Sequence, residues 1–433
     1  MKVFIETIGC PKNKEDSERM AGLLVRAGHE VTADAEAADA VIVNTCGFIE
    51  AAKQESIEAI FDYAPLRQQG KRLVVTGCLA QRYAKELREE LPEADAILGV
   101  NDYGRIAEAV AGGRGGTEGV PGILAGQRVA LDPRATSYLK IAEGCDNRCA
   151  YCVIPQIRGP YRSVPQEAVL AEALGLAREG CKELVLIAQD VTNYGADLPG
   201  GPALPGLLEA LCRVDGPEWI RLLYCYEERV TDALIEAMAA QPKVCRYIDL
   251  PLQHVSAGVL KRMGRRSTPD SIRRTLGRLR AAMPGIVIRT TFITGFPGET
   301  ERDFGELMDF VETERLGRVG VFAYSREEGT PAAAMPGQVP QALAEERRDA
   351  LMQLQTGISL EGNRALVGTV QDVLVDGREE DCYVGRTRGD APEIDGAVIF
   401  TAPGPPISDT IIGTFVRVRI TDAMDYDLVG ELL

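Results

Sequence analysis

Short apolar runs alternate with amphipathic stretches near the start of the chain. The predicted strands are Lys2–Thr7, Ala40–Thr45 and Arg72–Thr76, and the helical patterns between them include Ser17–Ala27 and Ile49–Tyr63. Apolar, β-rich runs that alternate with helices are typical of a parallel sheet buried on both faces. We therefore predict an N-terminal α/β domain over residues 1–111, with its strand carboxyl ends at one edge.

A second series of strand-then-helix units follows a glycine-rich stretch. Residues 112–136 are dense in glycine and predict a flexible linker. The predicted strands beyond it are Tyr138–Ala142, Glu183–Ala188, Ile220–Cys225, Tyr247–Leu250, Val287–Ile293 and Val319–Tyr324. Six units are too few for a closed eight-stranded barrel and too many for a simple doubly wound domain. We predict an open, partial (β/α)6 barrel over residues 137–365, with its chemistry at the strand carboxyl ends.

The pattern changes again near residue 366. Runs such as Gly368–Val375 and Gly413–Ile420 alternate with Gly and Asp turns, which predicts a small antiparallel β-barrel over residues 366–433. This segment has no lysine, and its acidic residues outnumber its arginines. A small barrel that binds RNA is normally basic, so the composition argues against an RNA partner. An acidic surface that serves only solubility is the alternative.

Composition is that of a multidomain globular protein. A length of 433 residues exceeds one ordinary core, and the apolar and charged shares are 45% and 26%. No apolar run is long enough to cross a bilayer, and Glu6 lies too early for a signal peptide, so we expect a cytoplasmic protein with no membrane partner. Eleven cysteines in such a chain indicate metal or redox chemistry rather than disulfides. The net charge of −16 argues weakly against bare nucleic acid as a partner.

Three closely spaced cysteines follow the first predicted barrel strand. Residues 144–152, GCDNRCAYC, place Cys145, Cys149 and Cys152 (the barrel cysteine set) in a C-x-x-x-C-x-x-C pattern. Thiolates this close can converge on one soft metal centre. A tetrahedral zinc site needs a fourth ligand, and no His or further Cys lies nearby, whereas three thiolates on a four-iron cluster leave one iron open. The spacing predicts a cluster, and three small buried residues on a loop are the alternative.

Three more cysteines recur at equivalent places in the N-terminal domain. Cys10, Cys46 and Cys78 (the N-terminal cysteine set) each follow a predicted strand, beside a glycine, and we expect each at the start of a helix. Parallel strands bring these positions to one edge, and helix N-termini favour thiolates. We predict a second three-cysteine cluster, with one iron open for exogenous sulfur. Small core residues are the alternative.

The remaining cysteines and both histidines are less informative. Small buried residues are the interpretation for Cys181, Cys212, Cys225 and Cys245. Cys382 is interpreted as incidental, and His29 is expected at a surface turn. His254 follows the fourth barrel strand, so a cofactor or substrate contact and a structural role are both open.

With both cysteine sets placed, the chain resembles the methylthiotransferases over essentially its full length. That family joins a three-cysteine N-terminal domain, a radical S-adenosylmethionine (SAM) partial barrel and a C-terminal TRAM domain. The resemblance is to the RimO branch, through the motifs IGCPKN (8–13), NTCGFI (44–49), AQDVTNYG (188–195), DAPEIDG (390–396) and DYDLVG (425–430). The branch that modifies tRNA adenosine has Gln-Met-Asn after the first cysteine and Gly-Gln-Asn-Val-Asn-Ser-Tyr after the second barrel strand. This chain departs from it at both places.

The resemblance implies a reaction and its cofactors. Members replace an unactivated C–H bond with C–S–CH3. The RimO branch does so at the β-carbon of an aspartate in small-subunit ribosomal protein twelve, giving 3-methylthioaspartate. Side-chain acid–base groups alone cannot break such a bond, whereas a radical formed from SAM can. The resemblance assigns the barrel cysteine set to a [4Fe-4S] cluster that cleaves SAM, and the N-terminal set to an auxiliary [4Fe-4S] cluster that delivers sulfur. A second SAM supplies the methyl group.

Position relative to the barrel strands suggests which side chains contact SAM. The candidates are Tyr151, Gln189, Asp190, Gln253, His254 and Thr294. The Gly-Gly-Glu run that many radical SAM enzymes place after the second strand is absent from the sequence, so the group that binds the methionine amine stays open. Arg262, Arg265 and Arg266 follow the fourth strand and are candidates for the SAM carboxylate, with a solvated helix face as the alternative.

The resemblance also implies partners. These are ribosomal protein twelve, free or in the ribosome, an electron donor such as flavodoxin or ferredoxin, and a sulfur source. Ribosomal proteins are generally basic, so an acidic C-terminal barrel is matched to such a substrate. We predict that Asp390, Glu393 and Asp395 lie on the docking face, although their sequence also contains turn signals. The alternative functions are a tRNA adenosine methylthiotransferase and a non-catalytic iron–sulfur electron carrier, which would favour four cysteines at each site.

Overall fold

The computed structural model describes residues 1–122, 128–131, 135–402 and 409–433. Within these ranges the chain forms an N-terminal parallel sheet, a central parallel sheet wrapped by helices, and a C-terminal closed barrel. The predicted fold class is therefore confirmed. None of the described helices has the length and apolar character needed to cross a membrane.

The N-terminal domain is a parallel α/β sheet. Its strands are β1 (Lys2–Thr7), β2 (Glu30–Val31), β3 (Ala40–Thr45), β4 (Arg72–Gly77), β5 (Ala96–Leu98) and β6 (Gly115–Gly116). Its helices are α1 (Pro11–Arg26), α2 (Glu50–Tyr63), α3 (Cys78–Arg82), α4 (Ala84–Glu90) and α5 (Ile106–Val110). The described strands lie in the order β2-β1-β3-β4-β5-β6. Ile42 and Val43 of β3 enter apolar clusters on opposite faces, and each such burial stabilises the domain by about 1.5–3 kcal/mol.

The three predicted strands of this domain are confirmed, and three shorter strands lie toward the edges of the sheet. Helix α1 begins at Pro11 rather than Ser17, because proline is well suited to a first helical turn. Part of the predicted linker is ordered, since Gly115 and Gly116 pair with Ile97 and Leu98 as an edge strand. Other parts of residues 112–136 lie outside the described residues.

The central domain repeats the strand-then-helix unit. Its strands are β7 (Thr136–Lys140), β8 (Ala142–Glu143), β9 (Arg162–Ser163), β10 (Glu183–Ile187), β11 (Trp219–Leu222), β12 (Val244–Asp249), β13 (Val287–Thr294) and β14 (Arg318–Ala323). Its helices are α6 (Ile154–Arg158), α7 (Gln166–Arg178), α8 (Leu204–Cys212), α9 (Asp232–Ala240), α10 (Ala257–Met263), α11 (Pro269–Ala282), α12 (Glu301–Glu314) and α13 (Gln341–Arg364). The main parallel sheet runs β14-β13-β12-β11-β10-β7, and β8 pairs with β9 separately. The described strands thus form the open barrel of six units that the sequence predicts.

The C-terminal domain is a small closed barrel. Its strands are β15 (Val370–Glu379), β16 (Cys382–Thr387), β17 (Val398–Thr401), β18 (Phe415–Ala423) and β19 (Leu428–Leu432). They close in the order β15-β16-β17-β19-β18 among the described residues. The pairs are antiparallel except for β17 with β19, which run parallel because five strands in a closed ring cannot all alternate in direction. The predicted antiparallel barrel is therefore correct in outline, with one parallel pair.

The C-terminal barrel packs on the face of the central sheet opposite the helices. Trp219 of β11 meets Phe415 of β18 edge-on, with ring centroids 4.7 Å apart. Beside this contact the buried carboxylate of Glu183 accepts hydrogen bonds from Arg221 at 2.7 Å and Arg386 at 2.8 Å. Burial opposes the ionisation of Glu183, but the two guanidinium groups lower its pKa below the usual value. An apolar contact and a buried ion pair together join the two domains.

Two of the acidic residues predicted to dock the substrate lie in this interface. Asp390 accepts from Arg318 at 2.6 Å, and Asp395 accepts from the Tyr247 hydroxyl at 2.7 Å. Both carboxylates are buried, so the prediction that they meet a partner protein is corrected: they join the C-terminal barrel to the central sheet. Glu393 is one-third exposed and forms an ion pair with helix α1. The local sequence shows that this segment is acidic, but it does not show which of its carboxylates are buried against a neighbouring domain.

Replacing Arg386 with Met is expected to weaken the docking of the C-terminal barrel. The change removes one of the two cations that face the fully buried Glu183, and breaking a buried pair from one side costs about 3–5 kcal/mol. Trp219 is the only tryptophan of the chain and lies in this interface, so its fluorescence reports undocking. The urea midpoint of the fluorescence transition should fall.

Arg378→Met is the matched control for this experiment. Arg378 lies in the same barrel and pairs with Asp409 at the surface, where an ion pair contributes about 0–1 kcal/mol. Its midpoint should stay near that of the wild type. Equal midpoints for the two variants would mean that the Glu183 pair does not hold the interface.

Candidate active site

The N-terminal cysteine set lies at one edge of the N-terminal sheet. Cys10, Cys46 and Cys78 follow β1, β3 and β4, which are neighbours in the sheet. Cys10 caps α1 and Cys78 begins α3, whereas α2 begins only at Glu50, so Cys46 lies in a loop and not at a helix start. Gly9 is needed here because a Cβ would lie 2.8 Å from Cys46 Cβ, at a φ of +102°. The three strands therefore bring three sulfurs together.

Burial disfavours the ionised form of these thiols. It raises the pKa of Cys46 to about 12, and the neighbouring thiols of the set add to the shift. Burial also raises the pKa of Cys78, against the opposing effect of the Arg158 guanidinium. Metal binding would reverse this preference, because a metal coordinates the thiolate.

The barrel cysteine set lies on the loop between β8 and α6. The Cys145 N–H donates to the Gly159 carbonyl at 3.1 Å, which closes the loop. Cys149 Sγ lies 3.7 Å from the Tyr226 hydroxyl, and Cys152 Sγ accepts the first N–H of α6 at 3.4 Å. The loop thus places its sulfurs beyond the first strand of the sheet, where the sequence predicts the chemistry.

The sulfurs of the barrel cysteine set lie near one another without surrounding one common point. Burial raises the pKa of Cys145 to about 11 and that of Cys152 to about 12, and the Cys149 thiol adds to both shifts, so these sulfurs lie near one another. Yet in the described part of the chain no three His, Cys, Asp or Glu side chains surround one ion. Ligands of a four-iron cluster bind different irons, and their sulfurs therefore lie farther apart than the ligands of one ion.

The two cysteine sets face each other across the contact between the N-terminal domain and the central barrel. Cys78 packs in one apolar cluster with Val153 and Ile157, which follow the barrel set. Arg158 donates to Cys78 Sγ at 3.3 Å. The charge of Lys12 favours the thiolate of Cys152. The sequence predicts two sets, and the structure adds that they share one interface.

A buried ion-pair network fixes this juxtaposition. Lys140 pairs with Glu15 at 2.8 Å and Glu143 at 2.9 Å, and also with Asp16. Arg158 pairs with Asp16 at 2.7 Å and Glu143 at 3.0 Å. Burial would raise the pKa of Glu143, but the two cations lower it. Because Glu15 and Asp16 belong to α1, the network ties the helix behind Cys10 to the strand before the barrel set.

Three of the predicted SAM contacts keep some exposed surface. Gln189 donates to Glu143 Oε1 at 2.6 Å, which places it beside the network. The Tyr151 ring meets Phe296 edge-on at 6.4 Å. Gln253 lies in the segment that follows β12 and adopts a positive φ of +71°. Contact with SAM stays a prediction for these three residues.

The other three predicted SAM contacts are buried and have protein partners. Asp190 accepts from Asn147 at 2.9 Å, and so supports the barrel cysteine loop. His254 Nδ1 accepts a backbone N–H at 2.9 Å, and Thr294 donates to the Ala344 carbonyl at 2.8 Å. Their exposed fractions are 0–1%, so protein groups enclose each of them in this structure. The structure gives Asp190, His254 and Thr294 protein partners, and their contact with SAM stays a prediction.

One of the three candidate arginines lies beside the barrel cysteine set. Arg262 donates to two backbone carbonyls, and the side chain of Arg266 is exposed. The Arg265 guanidinium is buried 4.3 Å from the centre of the Tyr226 ring, with Nε 3.5 Å from a Glu228 oxygen. Arg265 Nε and Nη2 have no hydrogen-bond partner among the described residues. These donors are available to an anion at the site.

Sequence reasoning missed four residues of this site: Lys12, Asn13, Glu143 and Arg158. Asn13 donates to the Thr45 carbonyl at 3.1 Å and accepts from Arg158 at 2.8 Å. The sequence signal that could have found them is their position beside the cysteines. Lys12 and Asn13 belong to the IGCPKN motif, and Glu143 immediately precedes the GCDNRCAYC loop. Lys12, Glu143 and Arg158 are charged, and their local sequence does not show that a second domain buries them.

The less informative residues are mostly as predicted. Cys181, Cys225 and Cys245 are buried in the central domain, while Cys212 and Cys382 are half-buried. His29 is half-buried rather than fully exposed.

A partial barrel with a three-cysteine loop after its first strand defines the class as a radical SAM protein. Comparison with known families agrees: residues 139–311 match the Radical SAM superfamily, residues 2–99 match Uncharacterized protein family UPF0004, and residues 367–433 match the TRAM domain. Among solved structures, the radical SAM methyltransferase TsrM from Kitasatospora setae superposes with a TM-score of 0.56 at 16% identity, over 87% of this chain and 81% of that one. The cobalamin-dependent radical SAM enzyme OxsB gives 0.53 at 14% identity, over 82% and 56%. These two likenesses concern the fold alone.

Relatives found by sequence have a much higher identity to this chain than these solved structures do. Ribosomal protein uS12 methylthiotransferase RimO of Geobacter sulfurreducens is 49% identical over 100% of this chain and 98% of the relative. The protein of the same name from Pelotomaculum thermopropionicum is 50% identical over 100% and 99%. The chain belongs to the RimO family of methylthiotransferases.

Proposed function

We propose that this protein methylthiolates ribosomal protein uS12, the small-subunit ribosomal protein twelve. The β C–H bond of one aspartate would be replaced by C–S–CH3, giving 3-methylthioaspartate. Family membership supports the substrate, since the relatives are named for it. The observation that supports the chemistry is the opposition of the two cysteine sets, because sulfur held by one set would lie beside the centre that activates the C–H bond.

Two [4Fe-4S] clusters and SAM fit the side chains of this site. The barrel cysteine set would hold one cluster and leave an iron open to SAM, and the N-terminal cysteine set would hold the auxiliary cluster. When bound, these groups would supply the reductive cleavage of SAM, the sulfur atom and, from a second SAM, the methyl group. The chain itself contributes soft ligands, and its buried ion pairs hold the two ligand sets in register.

Arg265 is the side chain we propose for the SAM carboxylate. Its two donors without hydrogen bonds lie on a guanidinium packed over Tyr226, whose hydroxyl is near Cys149. A guanidinium binds a carboxylate with two parallel hydrogen bonds, which would fix the orientation of the methionine end. Tyr151, Gln189 and Gln253 stay predicted contacts for the rest of SAM.

The proposed partners follow from the reaction. In the cytoplasm these would be uS12, free or in the ribosome, an electron donor such as flavodoxin or ferredoxin, and a sulfur source. The C-terminal barrel would attract the basic substrate through exposed acidic residues such as Asp381, Asp422 and Asp425, in place of the buried Asp390 and Asp395.

Mass spectrometry of cells with and without this gene tests the proposal. We expect uS12 from cells with the gene to be heavier by one CH2S unit, and the increase to be absent after deletion. Complementation with the wild type should restore it, whereas a variant without the barrel cysteine set should not. A change in tRNA nucleosides with unchanged uS12 would assign the protein to the tRNA substrate and overturn the proposal.

A further inference from the structure

Lys12 is a buried cation between the two cysteine sets. It lies on the first turn of α1, two residues after Cys10, and only 9% of the residue is exposed. Its charge acts on Cys152 of the opposite set. Among the described residues its Nζ forms no ion pair or hydrogen bond, and it lies over the face of the Tyr224 ring, 2.9 Å from the centroid. An ammonium so placed has no anion of its own.

The two carboxylates whose charge acts on Lys12, Glu143 and Asp249, are already paired with other cations. Glu143 pairs with Lys140 and Arg158. Asp249 pairs with Arg289 at 2.9 Å. Lys12 therefore has no carboxylate paired directly with it among the described residues, and a buried cation is costly unless an anion compensates it. The position would be stabilised by an anionic group that arrives from outside the chain.

The backbone at Tyr224 is strained to hold the ring in place. Its φ is +59°, a left-handed conformation that costs a tyrosine about 1–3 kcal/mol. Its N–H donates to Asp249 Oδ2 at 2.9 Å, and its carbonyl accepts from the Val191 N–H at 3.0 Å. These bonds keep the strained residue under the Lys12 ammonium, where the ring face supports a cation.

We propose that Lys12 binds the side-chain carboxylate of the substrate aspartate. The inference rests on the proposed function. The reacting β-carbon is bonded directly to the carboxylate carbon, so a carboxylate held on Lys12 places the β C–H bond between the two cysteine sets. The contact would also select aspartate over asparagine, because the amide has no charge to pair with the ammonium. Lys12 is thus a substrate-binding and specificity residue.

Peptide binding tests this contact. Two peptides would be compared, one with the uS12 sequence around the modified aspartate and one with Asn at that position, on anaerobically reconstituted enzyme. The wild type should bind the Asp peptide tighter by about tenfold or more. Lys12→Met and Lys12→Gln should bind both peptides equally, with the Gln variant available should the Met variant not fold. Lys12→Arg should keep part of the preference, and Lys14→Met, a charge loss on the same helix, should keep all of it.

A preserved Asp preference in the folded Lys12→Met or Lys12→Gln variant would overturn the contact. A preserved Asp preference together with a changed iron content or cluster potential would mean that Lys12 only balances the charge of the auxiliary cluster. Failure of the wild type to bind either peptide or to modify uS12 would instead overturn the proposed function, and this contact with it.

Discussion

Replacing the barrel cysteine set with Ala is expected to abolish SAM cleavage and to remove about half of the bound iron. These three sulfurs are the soft donors of the loop beyond β8, and within the described residues no other His or Cys is arranged to replace them. Without them no cluster would face SAM. Iron analysis and the yield of 5′-deoxyadenosine with a chemical reductant measure the two effects.

The control is a triple variant of three central-domain cysteines that do not belong to the barrel cysteine set. Cys181, Cys212 and Cys245 lie in the same domain away from the loop, and replacing them with Ala should leave iron content and SAM cleavage close to the wild type. Retained SAM cleavage in the barrel-set variant, with the control folded and active, would refute the assignment of that set.

Replacing the N-terminal cysteine set with Ala is expected to leave SAM cleavage and abolish methylthiolation. The variant should lose the other half of the iron, about the same amount as the barrel-set variant. Arg158 loses Cys78 as a partner but keeps Asp16 and Glu143, so the barrel loop should stay in place. The measurement is 5′-deoxyadenosine yield beside the mass of uS12 in one reaction.

The contradicting result for this second variant is loss of both clusters in a folded protein. Folding can be checked by the Trp219 fluorescence transition, which reports the distant C-terminal interface. Such a loss would mean that the two cysteine sets act as one site, and the assignment of separate roles would then fail.

Much of the fold follows from local patterns. Apolar runs predict the strands because the pattern of apolar positions that marks a strand extends over only a few consecutive residues. It can therefore be recognised from local sequence alone. The cysteine spacing predicts the barrel set for the same reason, and the recurrence of a cysteine after each strand predicts the N-terminal set. Parallel topology then places Cys10, Cys46 and Cys78 together without further information, as β1, β3 and β4 show.

The missed features depend on contacts between domains. Asp390 and Asp395 look like exposed turn residues until the central sheet supplies Arg318 and Tyr247. Lys12 likewise becomes a buried cation only when the N-terminal domain packs against the central barrel. Whether a charged side chain is solvated or buried is decided by its partner surface, and a single sequence does not encode that surface locally.

Tandem mass spectrometry of uS12 after reaction with the reconstituted protein, SAM and a reductant tests the central claim most directly. We predict one added CH2S unit, located by fragmentation on the β-carbon of a single aspartate, with 5′-deoxyadenosine formed in the same reaction. Unmodified uS12 despite 5′-deoxyadenosine formation, or a methylthio group found on tRNA adenosine instead, would contradict the account.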